Sequence, residues 1–108
     1  MQRHGSVIRL RPEHREEYLR LHRAVWPSVE DMIRRANIRN YTIFRHGDML
    51  FSYFEYVGDD YAADMARIAA DPETQRWWKL TDPCQESLSD PASGQWWTPI
   101  DEVWHLSD

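Results

Sequence analysis

The chain is poor in the residues that staple, anchor or cradle. Cys84 is the only cysteine in 108 residues, so no disulfide can close within the chain and an oxidising compartment is not required. Four glycines lie scattered at positions 5, 47, 58 and 94, which excludes a glycine-rich phosphate loop. No stretch approaches the ~20 apolar residues of a membrane-spanning helix, and the opening residues MQRHGSVIRLRPEHREEYL lack the apolar centre of a secretory signal. Cytoplasm is the expected setting, with no membrane partner. His4, His14, His22, His46, His105 and Cys84 show no H-x-x-x-H or C-x-x-C spacing, so no metal site is expected. No G-x-S-x-G turn surrounds Ser6, Ser28 or Ser52, and no cofactor is expected. An excess of positive charge is missing too. The formal charge is -5, and the arginines of the first third alternate with Glu13, Glu16, Glu17, Glu30 and Asp31, as on a solvated helix face. Backbone binding to nucleic acid needs clustered Lys and Arg, so no nucleic-acid partner is expected.

What the chain has in excess is aromatic: six tryptophans and five tyrosines. These side chains pair an apolar face with a polar tip, which suits a core, an interface or a pocket for an amphipathic ligand. A single domain over residues 1–108 is expected at this length, able to bury roughly two-thirds of the surface of the unfolded chain.

Residues 5–10 read as a strand that stops before Pro12. From about 13 to 36, Tyr18, His22, Val25, Trp26, Val29, Met32, Ile33 and Ala36 recur at steps of three and four, the mark of one helical face. Pro27 should kink or restart that helix. Residues 38–46 and 49–57, rich in β-branched and aromatic types around His46-Gly47-Asp48, predict a hairpin. Within it Tyr41 and Ile43 share a face. Asp59 or Asp60 should cap a helix to about residue 70, and Asp71-Pro72 should open another that carries Trp77 and Trp78. A loop over 87–99 and a last strand over 100–106 complete the order β-α-β-β-α-(α)-β. That order is the ferredoxin-like split βαβ of the α+β class, an antiparallel sheet with helices on one face. The bare second face is expected to be covered by a second copy, giving a homodimer with a dimeric α+β barrel.

His22 draws attention because imidazole exchanges protons near neutral pH, with an ordinary pKa of ~6.5. A histidine in an apolar stripe is more often a bonded core residue, but Tyr18 lies one turn earlier and about 40° round the helix. Trp77 and Trp78, about 100° apart on a helix, cannot both lie in one core layer. One or both could offer a flat wall to a ligand. Cys84 follows a proline in a loop and reads as a plain thiol.

Taken together, Glu17-Tyr18-x-x-x-His22-x-x-x-Trp26-Pro27, Asn40-Tyr41-Thr42-Ile43-Phe44, Arg76-Trp77-Trp78-Lys79 and Asp101-Glu102-Val103-Trp104-His105-Leu106 resemble the L-rhamnose mutarotase family. The likeness runs from about residue 5 to 107. It implies a small cytosolic ferredoxin-like dimer that needs no metal or organic cofactor and interconverts the α and β anomers of L-rhamnose and related sugars. By the same resemblance His22 matches the family's proton donor, and Tyr18, Tyr41, Trp77 and Trp78 match its substrate contacts. Where that family commonly has Glu after Trp-Pro, this chain has Ser28. The stretch after Lys79, with Trp96-Trp97, also differs, so L-fucose or another 6-deoxy aldose is as open as L-rhamnose. Two rival readings share the expected fold: a cofactor-free monooxygenase and a non-catalytic small-molecule-binding dimer.

Overall fold

Two prolines punctuate the N-terminal half. Strand β1 (Gln2–Leu10) buries Ile8 and Leu10 and turns Arg9 outward, the two-residue alternation of a half-covered strand. Pro12 then opens a 3-10 turn that leads into helix α1 (Arg15–His22). The chain breaks over 23–26 and restarts at Pro27 as α2 (Pro27–Arg35). Proline is tolerated there because the first helical N–H has no intrahelical partner in any case. The computed structural model describes residues 1–107; residue 108, the last of the expected single domain, lies outside them.

The hairpin forms as expected from β2 (Ile38–His46) and β3 (Met49–Tyr56), turning at Gly47, whose φ of 57° lies in the left-handed region. Asp60 caps α3 (Tyr61–Ala70) by accepting from the Ala63 N–H at 3.1 Å. Asp71 caps α4 (Pro72–Thr81) by accepting from the Thr74 N–H at 3.0 Å. Strands β4 (Gln85–Glu86) and β5 (Thr98–Ile100) follow. The antiparallel sheet runs β2-β3-β1-β4, with β5 also beside β1. This is the ferredoxin-like α+β arrangement. Tyr18 of α1 and Cys84 pack with Ile8, Leu10 and Leu50 on the helix-covered face. The other face leaves Phe44 at 62% and Phe51 at 37% exposure.

One element differs from expectation. The last strand falls at Thr98–Ile100, inside the stretch expected to be loop, and residues 101–107 carry no regular structure. The edge of β1 takes Thr98–Ile100 opposite Val7–Gly5, and among the described residues no partner strand faces residues 101–107. Val103, Trp104 and Leu106 consequently point into solvent. The ion pair from Arg3 Nε to Glu102, 2.6 Å long, ties this segment to the sheet.

A β-bulge in β2 aims one side chain that matters below. Arg39 pairs with Glu55 and Thr42 with Tyr53, so Asn40 and Tyr41 together oppose Phe54. Asn40 absorbs the bulge at a φ of 54°, a conformation that Asn adopts more readily than most residues. Tyr41 thereby turns to the helix-covered face and stacks on Phe54 at 5.5 Å.

Candidate functional site

Helical spacing brings Tyr18 and His22 together, their ring centroids 4.2 Å apart. His22 Nδ1 lies 2.9 Å from the backbone carbonyl of Tyr18. A carbonyl only accepts, so Nδ1 carries the hydrogen and, in the neutral ring, Nε2 carries the free lone pair. Burial lowers the imidazole pKa below its ordinary value, against the smaller opposing pull of that carbonyl. At neutral pH the ring is therefore an uncharged base that presents Nε2. The ring is half-buried rather than sealed, and its neighbours are aromatic.

Trp77 supplies the adjoining wall. Its indole stands edge-on to His22 at 5.5 Å and to Trp26 at 5.3 Å, and only 6% of it is exposed. Trp78, next along α4, instead faces outward and is 37% exposed. The helix thus divides the tryptophan pair between two directions.

The Tyr18 hydroxyl is the buried end of a short chain. Gln85 Nε2 donates to it at 3.3 Å, and Gln85 Oε1 accepts from Trp96 Nε1 at 2.8 Å. Desolvation pushes the phenol pKa well above its usual value, and the nearby Tyr41 adds to the shift. Burial also pushes Tyr41 up to about 12, although the residue as a whole is 41% exposed. Of the five residues singled out in the sequence, Tyr18, His22 and Trp77 meet around the His22 ring, Tyr41 stacks on Phe54 and lies near enough to Tyr18 to raise its pKa, and Trp78 faces outward.

Gln85 and Trp96 escaped sequence reasoning. Gln85 lies in a two-residue strand recognisable only from its pairing with Leu10, and Trp96 reaches it from a loop eleven positions on. Ser28, where the family pattern has a carboxylate, sits with its Oγ 3.5 Å from Glu73 of α4. A carboxylate is thus present at that place from a different element, held by Arg76 Nε at 2.7 Å.

Two open grooves lie elsewhere. One of about 380 Å³ includes Met32, Arg35, Arg67 and Asp71, and one of about 460 Å³ runs along the uncovered sheet face past Gly5, Tyr53, Ile100 and Trp104. Neither includes the five candidate residues. Among the described residues, His14, Glu17 and Cys84 bring potential metal-ligand atoms within 4.8 Å of one another. They come from three separate turns, so sequence spacing could not reveal them. Each has a partner without an ion: His14 Nδ1 is 3.5 Å from Glu17, and the Cys84 thiol, its pKa raised by burial, donates to the Leu80 carbonyl at 3.6 Å.

A sequence model of the L-rhamnose mutarotase family matches residues 3–106. An L-rhamnose mutarotase of Listeria monocytogenes serotype 4b is 33% identical over 109 aligned positions, covering 99% of this chain and all of the other. An L-fucose mutarotase of Xanthomonas campestris pv. campestris is 38% identical over 96, covering 85% and 76% respectively. The crystal structure of an L-rhamnose mutarotase from Formosa agariphila superposes with a TM-score of 0.78 at 18% identity, over 99% of this chain and 100% of that one. At that identity the superposition speaks for the fold.

Proposed function

The chain belongs to the L-rhamnose mutarotase family, and from that premise we propose that His22 is the acid-base residue that opens and recloses the ring of a 6-deoxy aldose. The observation that carries this reading is the 2.9 Å bond from His22 Nδ1 to the Tyr18 carbonyl, which leaves Nε2 as a free base beside a phenol and an indole. Mutarotation needs a proton taken from the anomeric hydroxyl while another reaches the ring oxygen. The C1–O5 bond then breaks to give the open aldehyde, C1–C2 rotates, and the ring closes on the opposite carbonyl face. General acid-base help of this kind contributes about 10²–10⁴ in rate, enough for a reaction that already proceeds unaided.

Tyr18, Tyr41, Trp77 and Trp78 hold the sugar in this reading. A 6-deoxy aldose presents a methyl group and axial C–H bonds, which pack on indole and phenol faces, while the Tyr41 hydroxyl meets a ring hydroxyl. L-rhamnose and L-fucose are the two sugars that the relatives' names supply.

A homodimer belongs to the same proposal. Phe44, Phe51, Val103, Trp104 and Leu106 are exposed in the single chain, and exposed large apolar side chains of this kind are what an interface between proteins covers. A second copy packed on this sheet face would cover them and give residues 101–106 the strand partner they lack. So does a cytoplasmic setting, with which a single buried thiol accords.

The test is exchange spectroscopy on the anomeric protons of free L-rhamnose, L-fucose and D-glucose, with and without protein. Accelerated α–β exchange of either 6-deoxy sugar, and none for D-glucose, is expected. Acceleration of D-glucose alone, or of no sugar, would remove the proposal.

A further inference from the structure

Gln85 is only 4% exposed, and both ends of its amide are committed. Indole Nε1–H can only donate, so the amide atom 2.8 Å from Trp96 is the oxygen. The opposite end, facing Tyr18 at 3.3 Å, is therefore the NH₂ group, which can only donate. Trp96 thus decides which way the amide lies, and the amide decides what the Tyr18 hydroxyl does: its oxygen accepts from Gln85 and its hydrogen must point elsewhere. Were the amide reversed, its oxygen would take the Tyr18 hydrogen.

The backbone around this relay is fixed. Gln85 pairs with Leu10 in the sheet, and its carbonyl accepts from Arg11 Nε at 3.3 Å. The loop that delivers Trp96 is tied at both ends by Ser87 Oγ to the Gln95 carbonyl, 3.2 Å, and by Ser89 Oγ to Thr98 Oγ1. Trp97 packs against the core cluster that contains Tyr18.

We infer that Gln85, oriented by Trp96, is a positioning residue that keeps the Tyr18 O–H free as the proton donor to the sugar ring oxygen, opposite His22 as the base. This rests on the reading of His22 and Tyr18 as the reacting pair. In the opening step His22 Nε2 takes the proton of the C1 hydroxyl, the C1–O5 electrons pass to O5, and O5 takes the Tyr18 proton. Closure reverses the flow: O5 returns its proton to the phenolate oxygen and attacks C1, and the imidazolium protonates the carbonyl oxygen. Nothing is consumed. Raised by burial, the phenol stays protonated through the working pH range, so the proton is in place for O5, and the Gln85 N–H that faces its oxygen stabilises the phenolate left behind.

The experiment compares Trp96→Phe, Gln85→Met and Gln85→Glu with the unchanged protein, following anomeric exchange of L-rhamnose and L-fucose from pH 5.5 to 9. Trp96→Phe keeps a ring on the surface but frees the amide to reverse, and Gln85→Met keeps the shape but removes the donor. Both should lower kcat by roughly ten- to a hundredfold, inside the range of acid-base effects, with KM nearly unchanged. In Gln85→Glu the introduced carboxylate accepts the Tyr18 proton, so kcat should be low at high pH and recover as that carboxylate is protonated, a slope the unchanged protein lacks. Should Gln85→Met fail to fold, the other two decide. Wild-type kcat in these variants, or a uniform loss in Gln85→Glu with no change in pH profile, would overturn the inference while leaving the mutarotase reading intact if His22→Gln still abolishes exchange. An unchanged protein that exchanges neither sugar would overturn both.

Discussion

The Nδ1 hydrogen of His22 points at the carbonyl of Tyr18, four residues earlier on the same helix, across 2.9 Å. A bond between a side chain and the backbone of its own helix fixes the tautomer without any second side chain. It also survives motion of the surrounding loops, because α1 carries both partners. The proposed base, Nε2, is therefore the ring nitrogen left free by that bond.

Because burial lowers the His22 pKa, the proposed base should be available at neutral pH. Activity is expected to be flat from about pH 7 upward and to fall only in acid, with an apparent pKa below the ordinary ~6.5. The same shift has a consequence for stability. The unfolded chain takes up this proton more readily than the folded one, so stability falls as pH drops below ~6.5. Thermal melts across pH 4.5–8 should show His22→Gln losing less stability in acid than the unchanged protein. Equal acid losses in the two would contradict the buried, neutral imidazole.

Trp77 and Trp78 should behave differently in spite of being neighbours. Trp77→Ala removes a buried indole in contact with Trp26 and His22 and is expected to cost about 3–5 kcal/mol. Trp78→Ala, on the exposed side, should cost about 1 kcal/mol or less and act mainly on sugar affinity. Denaturant melts separate the two, and fluorescence titration with L-fucose reads the second effect. Equal stabilities would place both rings in equivalent surroundings.

These residues also mark how far the sequence is legible. The convergence of Tyr18 and His22 follows from helix periodicity alone, and the restart at Pro27 and the caps at Asp60 and Asp71 follow from backbone chemistry. Tyr41 is harder. Its face was readable from strand alternation, but its place opposite Phe54 depends on a bulge that only the pairing with β3 creates. Gln85 is out of reach, since a buried glutamine in a two-residue strand carries no periodic signal. The strand expected over 100–106 shows the opposite failure. Ile100, Val103, Trp104 and Leu106 have strand-like composition, but strand formation needs a neighbouring edge, which local sequence does not report.

Asp64 should anchor the far end of the sheet. It is buried and accepts from Tyr56 Oη at 2.5 Å, Asn37 Nδ2 at 3.0 Å and Arg67 Nη1 at 2.7 Å. Its pKa is lowered chiefly by the Tyr56 and Asn37 hydrogen bonds. A carboxyl depressed in this way stabilises the fold above its unfolded pKa of ~3.9 and loses that contribution as pH falls through the folded value. Asp64→Ala should lower the melting temperature at pH 7 and narrow its dependence on pH between 2 and 5. An unchanged acid limb in the variant would show that another group governs it.

The uncovered sheet face makes a prediction about assembly. Phe51→Arg places a charge beside exposed Phe44, where burial of an unpaired charge under a second copy is costly. Light scattering should give a dimer for the unchanged protein and a monomer for the variant at micromolar concentration. A monomer in both would remove the second copy from the account.

The most direct measurement is the exchange rate between α and β anomeric protons of L-fucose and L-rhamnose in the presence of folded His22→Gln. Glutamine keeps a polar group of similar reach but cannot shuttle a proton at neutral pH. The account predicts a loss of about 10²–10⁴ in enzyme-dependent rate with the melting profile at pH 7.5 little changed. A folded variant that exchanges either sugar as fast as the unchanged protein would contradict it.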